Sequence, residues 1–113
     1  MQRFIIEMGT GNDLHGQDYT KAAARAIEDA IRHSSLPLFS ALGIDHADME
    51  VRVTVAVQEP EQVDTTALKT GLPRGQVFVK ATHGGLNITN PESGETTVIA
   101  TAAVEAFLPA QQS

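Results

Sequence analysis

Two short stretches hold most of the residues in this chain that are able to do chemistry. The first runs Gly9-Thr10-Gly11-Asn12-Asp13-Leu14-His15-Gly16-Gln17-Asp18 and puts one imidazole and two carboxylates within six residues. An imidazole of ordinary pKa, about 6.5, both takes and gives a proton near neutrality, so Asp13 and His15 form a candidate acid/base pair. Asp13, His15 and Asp18 also offer the oxygen and nitrogen donors that suit Zn, Mn or Fe. Their spacing matches no diagnostic metal motif, however, and Asp18 stands where a helix N-cap is wanted, so no metal is assigned and no cofactor is specified. The second stretch is His83-Gly84-Gly85. His83 joins the acid/base set if the strand it ends lies beside the first strand.

The same two stretches hold the candidate ligand-binding residues. Gly9, Thr10, Gly11 and Asn12 allow close approach of the backbone to a ligand, and the following helix start offers free N–H groups and a positive dipole end. Lys21, in the first turn of that helix, opposes the dipole and is a candidate for holding an anionic group. Lys80 shares a strand face with Phe78 and Thr82 and is a candidate for lining a cleft between subunits, as Gly84 and Gly85 are for a sharp turn against a ligand. Plainer readings stand beside each: a tight structural turn, a β-bulge and a solvated edge lysine. Neither Rossmann glycine spacing nor a Gly-Lys-Ser/Thr phosphate loop occurs.

These residues need elements to position them. Arg3 to Met8 is short and apolar and predicts a first strand bounded by Gly9-Thr10-Gly11. Tyr19, Ala22, Ala23, Ala26, Ile27, Ala30 and Ile31 recur at helical spacing behind Asp18, with Glu28–Arg32 and Arg25–Asp29 as i,i+4 pairs on the solvated face. Ser34-Ser35-Leu36-Pro37 ends that helix, and Leu38 to Gly43 adds a candidate turn. Met49 to Val57 alternates as a half-exposed strand; Glu61 to Thr70 predicts a short helix with Gly71 at C′; Gln76 to Thr82 predicts a third strand. Asn90-Pro91-Glu92-Ser93-Gly94 has turn chemistry, and Thr96 to Phe107 reads as a long last strand that pairs with the third in an antiparallel hairpin. His33 and His46 receive no site role.

The expected fold is therefore α+β: one domain over residues 1–113, a βαβαββ mixed sheet with helices on one face. The last strand is apolar on both sides, Val98, Ala100, Ala102, Val104 and Ala106 on one and Ile99, Ala103 and Phe107 on the other. Two-sided burial in a sheet covered on one face points to a partner subunit, against the plainer reading of an Ala-rich strand that tolerates solvent.

With 113 residues, 42% of them apolar and only 4% aromatic, the chain has one core, built from Ala, Val, Ile and Leu; a chain of this size buries roughly two-thirds of its surface. The absence of Cys excludes disulfides, thiolate metal sites and a Cys nucleophile. A net charge of −6 without a basic cluster argues against nucleic acid. No run approaches the roughly 18 apolar residues of a membrane span, and Met1-Gln2-Arg3-Phe4 is no signal peptide, so a cytoplasmic protein without membrane contact is expected.

The element order resembles the fold shared by the Bacillus-type chorismate mutase, the reactive-imine deaminases and the repeat units of cyanuric acid hydrolase and barbiturase. That resemblance implies three units around a barrel-like core, with ligands in the clefts between them, hence a homo-oligomer that is a trimer or a multiple of one. The catalytic residues of those families have no place on this sequence, and fold analogy alone brings no residue roles. Separately, Met8-Gly9-Thr10-Gly11-Asn12-Asp13-Leu14-His15-Gly16-Gln17-Asp18, with Thr20-Lys21-Ala22-Ala23 and Ile31-Arg32-His33-Ser34-Ser35-Leu36-Pro37, resembles a small bacterial family of conserved hypothetical proteins. The resulting expectation is an oligomeric small-molecule enzyme, a hydrolase or deaminase of a small polar carbonyl or amide compound, working at a cleft between subunits. A non-catalytic metabolite-binding or assembly module is the alternative, and the Gly/Asp/His loop as an oligomer contact is a third.

Overall fold

The computed structural model describes residues 1–32, 49–70, 72 and 76–109. Strand β1 spans Gln2–Asp13, helix α1 Tyr19–Arg32, β2 Glu50–Val57, helix α2 Thr65–Thr70, β3 Gln76–His83, β4 Leu86–Thr89 and β5 Thr96–Leu108. The described residues form an α+β fold, with one mixed sheet and two α-helices. The expected helix end at 34–37, the turn at 38–43, the C′ position 71, and His33 and His46 lie outside the described residues.

Strand order is β1-β5-β2-β3, with β4 also paired to β5. β5 is antiparallel to β1, β2 and β4, whereas β2 and β3 run parallel. The turn at 90–94 closes as its chemistry predicts, with Gly94 N–H donating to the Asn90 carbonyl and Gly94 at φ 76°. It joins β4 to β5, however, and not β3 to β5. The sequence reading leaves out β4, because four residues after two glycines carry too little periodicity to register. β3 and β4 run in the same direction and are joined by a sideways step at Gly84-Gly85. Gly85 sits at φ +63°, where a Cβ would lie 2.3 Å from the Ile99 carbonyl oxygen, so this step needs glycine.

The core lies between the sheet and α1. Val51, Val53, Val55 and Val57 of β2 and Val98, Ala100, Ala102, Val104, Ala106 and Leu108 of β5 face it, joined by Leu68 of α2. From α1 come Tyr19, Ala22, Ala23, Ala26, Ile27 and Ala30, the apolar stripe its spacing predicts. Both helices therefore contribute to one face, as expected. Asp18 caps α1, its Oδ1 accepting the Lys21 N–H at 3.0 Å. The expected helix over 61–70 divides instead into a 3-10 turn at Pro60–Gln62 and α2, which Asp64 starts by accepting the Ala67 N–H. Among the described residues no helix is long and apolar enough to cross a membrane.

β1 runs on through Gly9-Thr10-Gly11 to Asp13, so these glycines are strand residues and not a loop. Gly9 pairs with Ala102 and Gly11 with Ala100. A Cβ on Gly9 would lie 2.4 Å from the Ala26 carbonyl oxygen, and one on Gly11 2.3 Å from Ala26 N and 2.6 Å from the Ala22 oxygen. All are helix backbone atoms, so any side chain here would push α1 off the sheet. Gly11→Ala is expected to lower stability by about 2–3 kcal/mol, the usual range for overpacking, measured as a shift in urea midpoint. Gly94→Ala, whose Cβ would meet nothing within 4 Å, costs only the strain of its positive φ, about 1 kcal/mol.

Candidate functional site

The turn from β1 into α1 is built around one buried carboxylate. Asp13 is 3% exposed and accepts the Asp18 N–H through Oδ2 at 2.9 Å, closing a loop that passes through left-handed Gly16 (φ 91°) and Gln17 (φ 49°). The Arg25 guanidinium stands 3.8 Å from its other oxygen and donates to the Asn12 carbonyl at 2.7 Å. Asp13 and Asp18 thus act in series: one holds the N-cap residue and the other caps the helix.

His15 points elsewhere. Its Nδ1 pairs with Glu95 Oε2 at 2.9 Å, tying the loop to the start of β5, and both side chains are largely exposed. A shallow 230 Å³ cavity lies beside this loop, lined by Asn12, Asp13, Leu14, His15, Lys21 and Arg25. It gathers four of the sequence-predicted residues but not His83. Sheet order puts β5 and β2 between β1 and β3, a separation of roughly 14 Å at ordinary strand spacing, so the neighbour relation that would bring His83 to Asp13 and His15 does not exist. Among the described residues no group of three or more His, Asp or Glu is arranged to hold a metal ion.

The candidate glycines have structural neighbours. Gly9 and Gly11 face α1, and a Cβ on Gly84 would lie 2.8 Å from the Ala56 Cβ. Arg25 and Asp29, an apparent i,i+4 pair, both reach over the outer edge of β1: Asp29 Oδ2 accepts the Thr10 N–H at 3.0 Å while Arg25 takes the Asn12 carbonyl. The Glu28–Arg32 pair does form, at 3.3 Å. Sequence reasoning also missed the buried Tyr19 hydroxyl, which meets Asn87 Nδ2 at 2.7 Å, because it left β4 unassigned.

Among the described residues no helix lies on the opposite sheet face. Cross-strand rows run Phe78-Arg52-Glu105-Ile6, Lys80-Thr54-Ala103-Met8 and Thr82-Ala56-Thr101-Thr10, and β4 adds Leu86 and Ile88. Lys80 therefore lies with Phe78 and Thr82 on the uncovered face, as its position predicts. Met8 is 74% exposed, and Ile6, Phe78, Leu86 and Ile88 are each between 42% and 53%. Small residues in the middle leave a trough of about 440 Å³ against Met8, floored by Thr54, Ala56, Thr101 and Ala103. One end of the face is charged: Arg3 pairs with Glu105 at 3.2 Å, Arg52 with Glu50, and the Arg52 guanidinium stacks 4.2 Å from the Phe107 ring centre.

Among the described residues these features define an α+β protein with one sheet face covered by helices and an opposite, partly apolar face that no described helix covers. The chain belongs to the conserved hypothetical protein family Lin0512_fam, whose profile matches residues 3–106. It is similar to a FtsZ-like protein of unknown function from Nostoc punctiforme, known from a crystal structure. The two share 36% sequence identity over 96% of this chain and 97% of the other, with a TM-score of 0.82. No curated protein matches it.

Asp13→Ala is expected to cost about 1–2 kcal/mol, since it removes the buried carboxylate that holds the Asp18 N–H and with it the helix cap. His15→Ala removes only a solvated pair and is expected to change stability by less than about 1 kcal/mol. Chemical denaturation of the two variants side by side checks the contrast.

Proposed function

We propose that this chain is the subunit of a homo-oligomer and that its uncovered sheet face is the assembly surface. The observation that carries this reading is where the large side chains lie. Among the described residues the helix-facing core is mostly Ala and Val, with Ile27, Met49, Leu68, Leu108 and one aromatic, Tyr19, whereas Phe78, Phe107, Met8, Leu86 and Ile88 lie on the other face. Large apolar side chains gathered on a sheet face that no described helix covers favour burying that face against another copy. Four strands at about 4.8 Å spacing and about 30 Å of length give on the order of 600 Å² per copy, near the lower bound for a stable interface. The resemblance to chorismate mutase-like folds supports the same arrangement and favours a trimer or a multiple of it.

A small-molecule site at that interface is the second reading. The trough supports it, since Thr10, Thr54 and Thr101 offer hydroxyls around an apolar floor that a second copy would roof over. Hydrolytic or deaminating chemistry draws less support, because Asp13 is committed to the loop, His15 to Glu95, and His83 stands on the far edge.

Native mass spectrometry and sedimentation velocity test the assembly. Wild type is expected as an oligomer at micromolar concentration, and a double Phe78→Glu, Leu86→Glu variant is expected to fall to a smaller species while keeping its circular dichroism. A wild-type monomer, or an unchanged mass in the variant, overturns the reading. A retained small-molecule mass in the native spectrum, lost in Thr101→Val, would support the interfacial site.

A further inference from the structure

The outer edge of β1 carries a second, independent contact. Thr10 and Thr101 lie opposite each other, yet the Thr10 N–H donates to Asp29 and not to β5. Even-numbered residues of β1 from 6 onward therefore point their backbone groups away from the sheet, as the Asn12 carbonyl taken by Arg25 also shows. α1 thus closes this edge at Thr10 and Asn12 and leaves Ile6 and Met8 open. Natural edges are guarded against uncontrolled pairing, and here the guard stops halfway. Among the described residues no strand lies on that side of β1.

We propose that the open edge around Ile6 pairs antiparallel with the same edge of a second copy, joining two sheets across a two-fold axis at Ile6. Three registers are compatible with outward-pointing groups at 6 and 8, and the structure separates them. Centring on Met8 sets Ile6 against Thr10, whose N–H Asp29 already holds. Centring on Glu7 sets two like charges directly opposite each other, which is unfavourable. Centring on Ile6 avoids both, puts Ile5 opposite Glu7 on the helix side, stacks Ile6 on Ile6 on the apolar face, and sets Met8 against the irregularity of β1 between Arg3 and Ile5. The contact is isologous, so it closes as a pair and does not run on into a filament. It doubles whatever assembly the sheet face forms and does not depend on that assembly.

The chain has no cysteine, so single-cysteine variants report this contact without background. Opposed Cα atoms in a hydrogen-bonded antiparallel pair lie about 5.5 Å apart, within disulfide reach, whereas two Thr10 Cα atoms in this register lie about 27 Å apart. Ile6→Cys is expected to form a covalent dimer under mild oxidation, at a yield roughly tenfold above Thr10→Cys. Carried into the Phe78→Glu, Leu86→Glu background, Ile6→Cys is expected to cross-link still, which separates failure of the edge contact from failure of face assembly. Ile6→Pro deletes an N–H that points away from β5 and has no partner among the described residues, so it is expected to abolish the dimer of that background while keeping its circular dichroism. Equal, low yields for Ile6→Cys and Thr10→Cys, or a cross-link lost whenever the face is mutated, overturn the proposal.

Discussion

The contact on which the rest of this structure depends is the closeness of α1 to β1. Two glycines, Gly9 and Gly11, meet the backbone of Ala22, Ala26 and Ala30 with no space for even one methyl group between them. A helix seated this low needs few large side chains to fill the gap, and the core is correspondingly made mostly of Ala and Val. The approach also sets the reach of the polar residues beside the stripe. Arg25 and Asp29, on the flank of α1, extend over the strand edge and hydrogen-bond to its backbone. Asp13 is drawn under the loop, where it anchors the residue that caps the helix.

The same constraint distributes hydrophobic bulk unequally. Because the helix side accepts mainly small residues, most of the larger apolar side chains of β1, β3 and β4 are on the face that no described helix covers. That face has an apolar half, a trough of small residues and a charged end whose ion pairs are satisfied within the chain. Self-satisfied charges leave little for a charged partner to complement, and they suit a surface that meets its own copy. Edge and face belong to the same strand, β1, whose alternate residues contribute glycines to the core and apolar side chains to the surface.

Much of this is legible in the residues. The stripe Tyr19 to Ala30, the N-cap at Asp18, the alternation of Val51 to Val57 and the turn at 90–94 are local patterns, and each takes the conformation its spacing dictates. The two-sided apolar character of β5 announces an uncovered face. Less legible was the meaning of Gly9 and Gly11. Glycines after an apolar run read as a loop near a ligand, yet here they continue the strand, because what they accommodate is a helix distant from them in sequence. Arg25 and Asp29 mislead in the same way: four residues apart on a helix they look like a pair, and only the strand edge beside them reveals their partners.

The sequence by itself determined most of the elements, though not β4 or the full length of β1, together with the helix cap, the small-residue character of the core and the choice of which strand faces are apolar, since these follow from neighbours a few residues apart. Tertiary structure alone decided which strands adjoin. A parallel β2–β3 pair and a β4 that takes the place beside β5 put His83 on the edge opposite Asp13 and His15, separating groups that composition had brought together. Strand order is set by how the whole sheet buries its apolar rows against one helix, and that sum over distant contacts is written in no single segment.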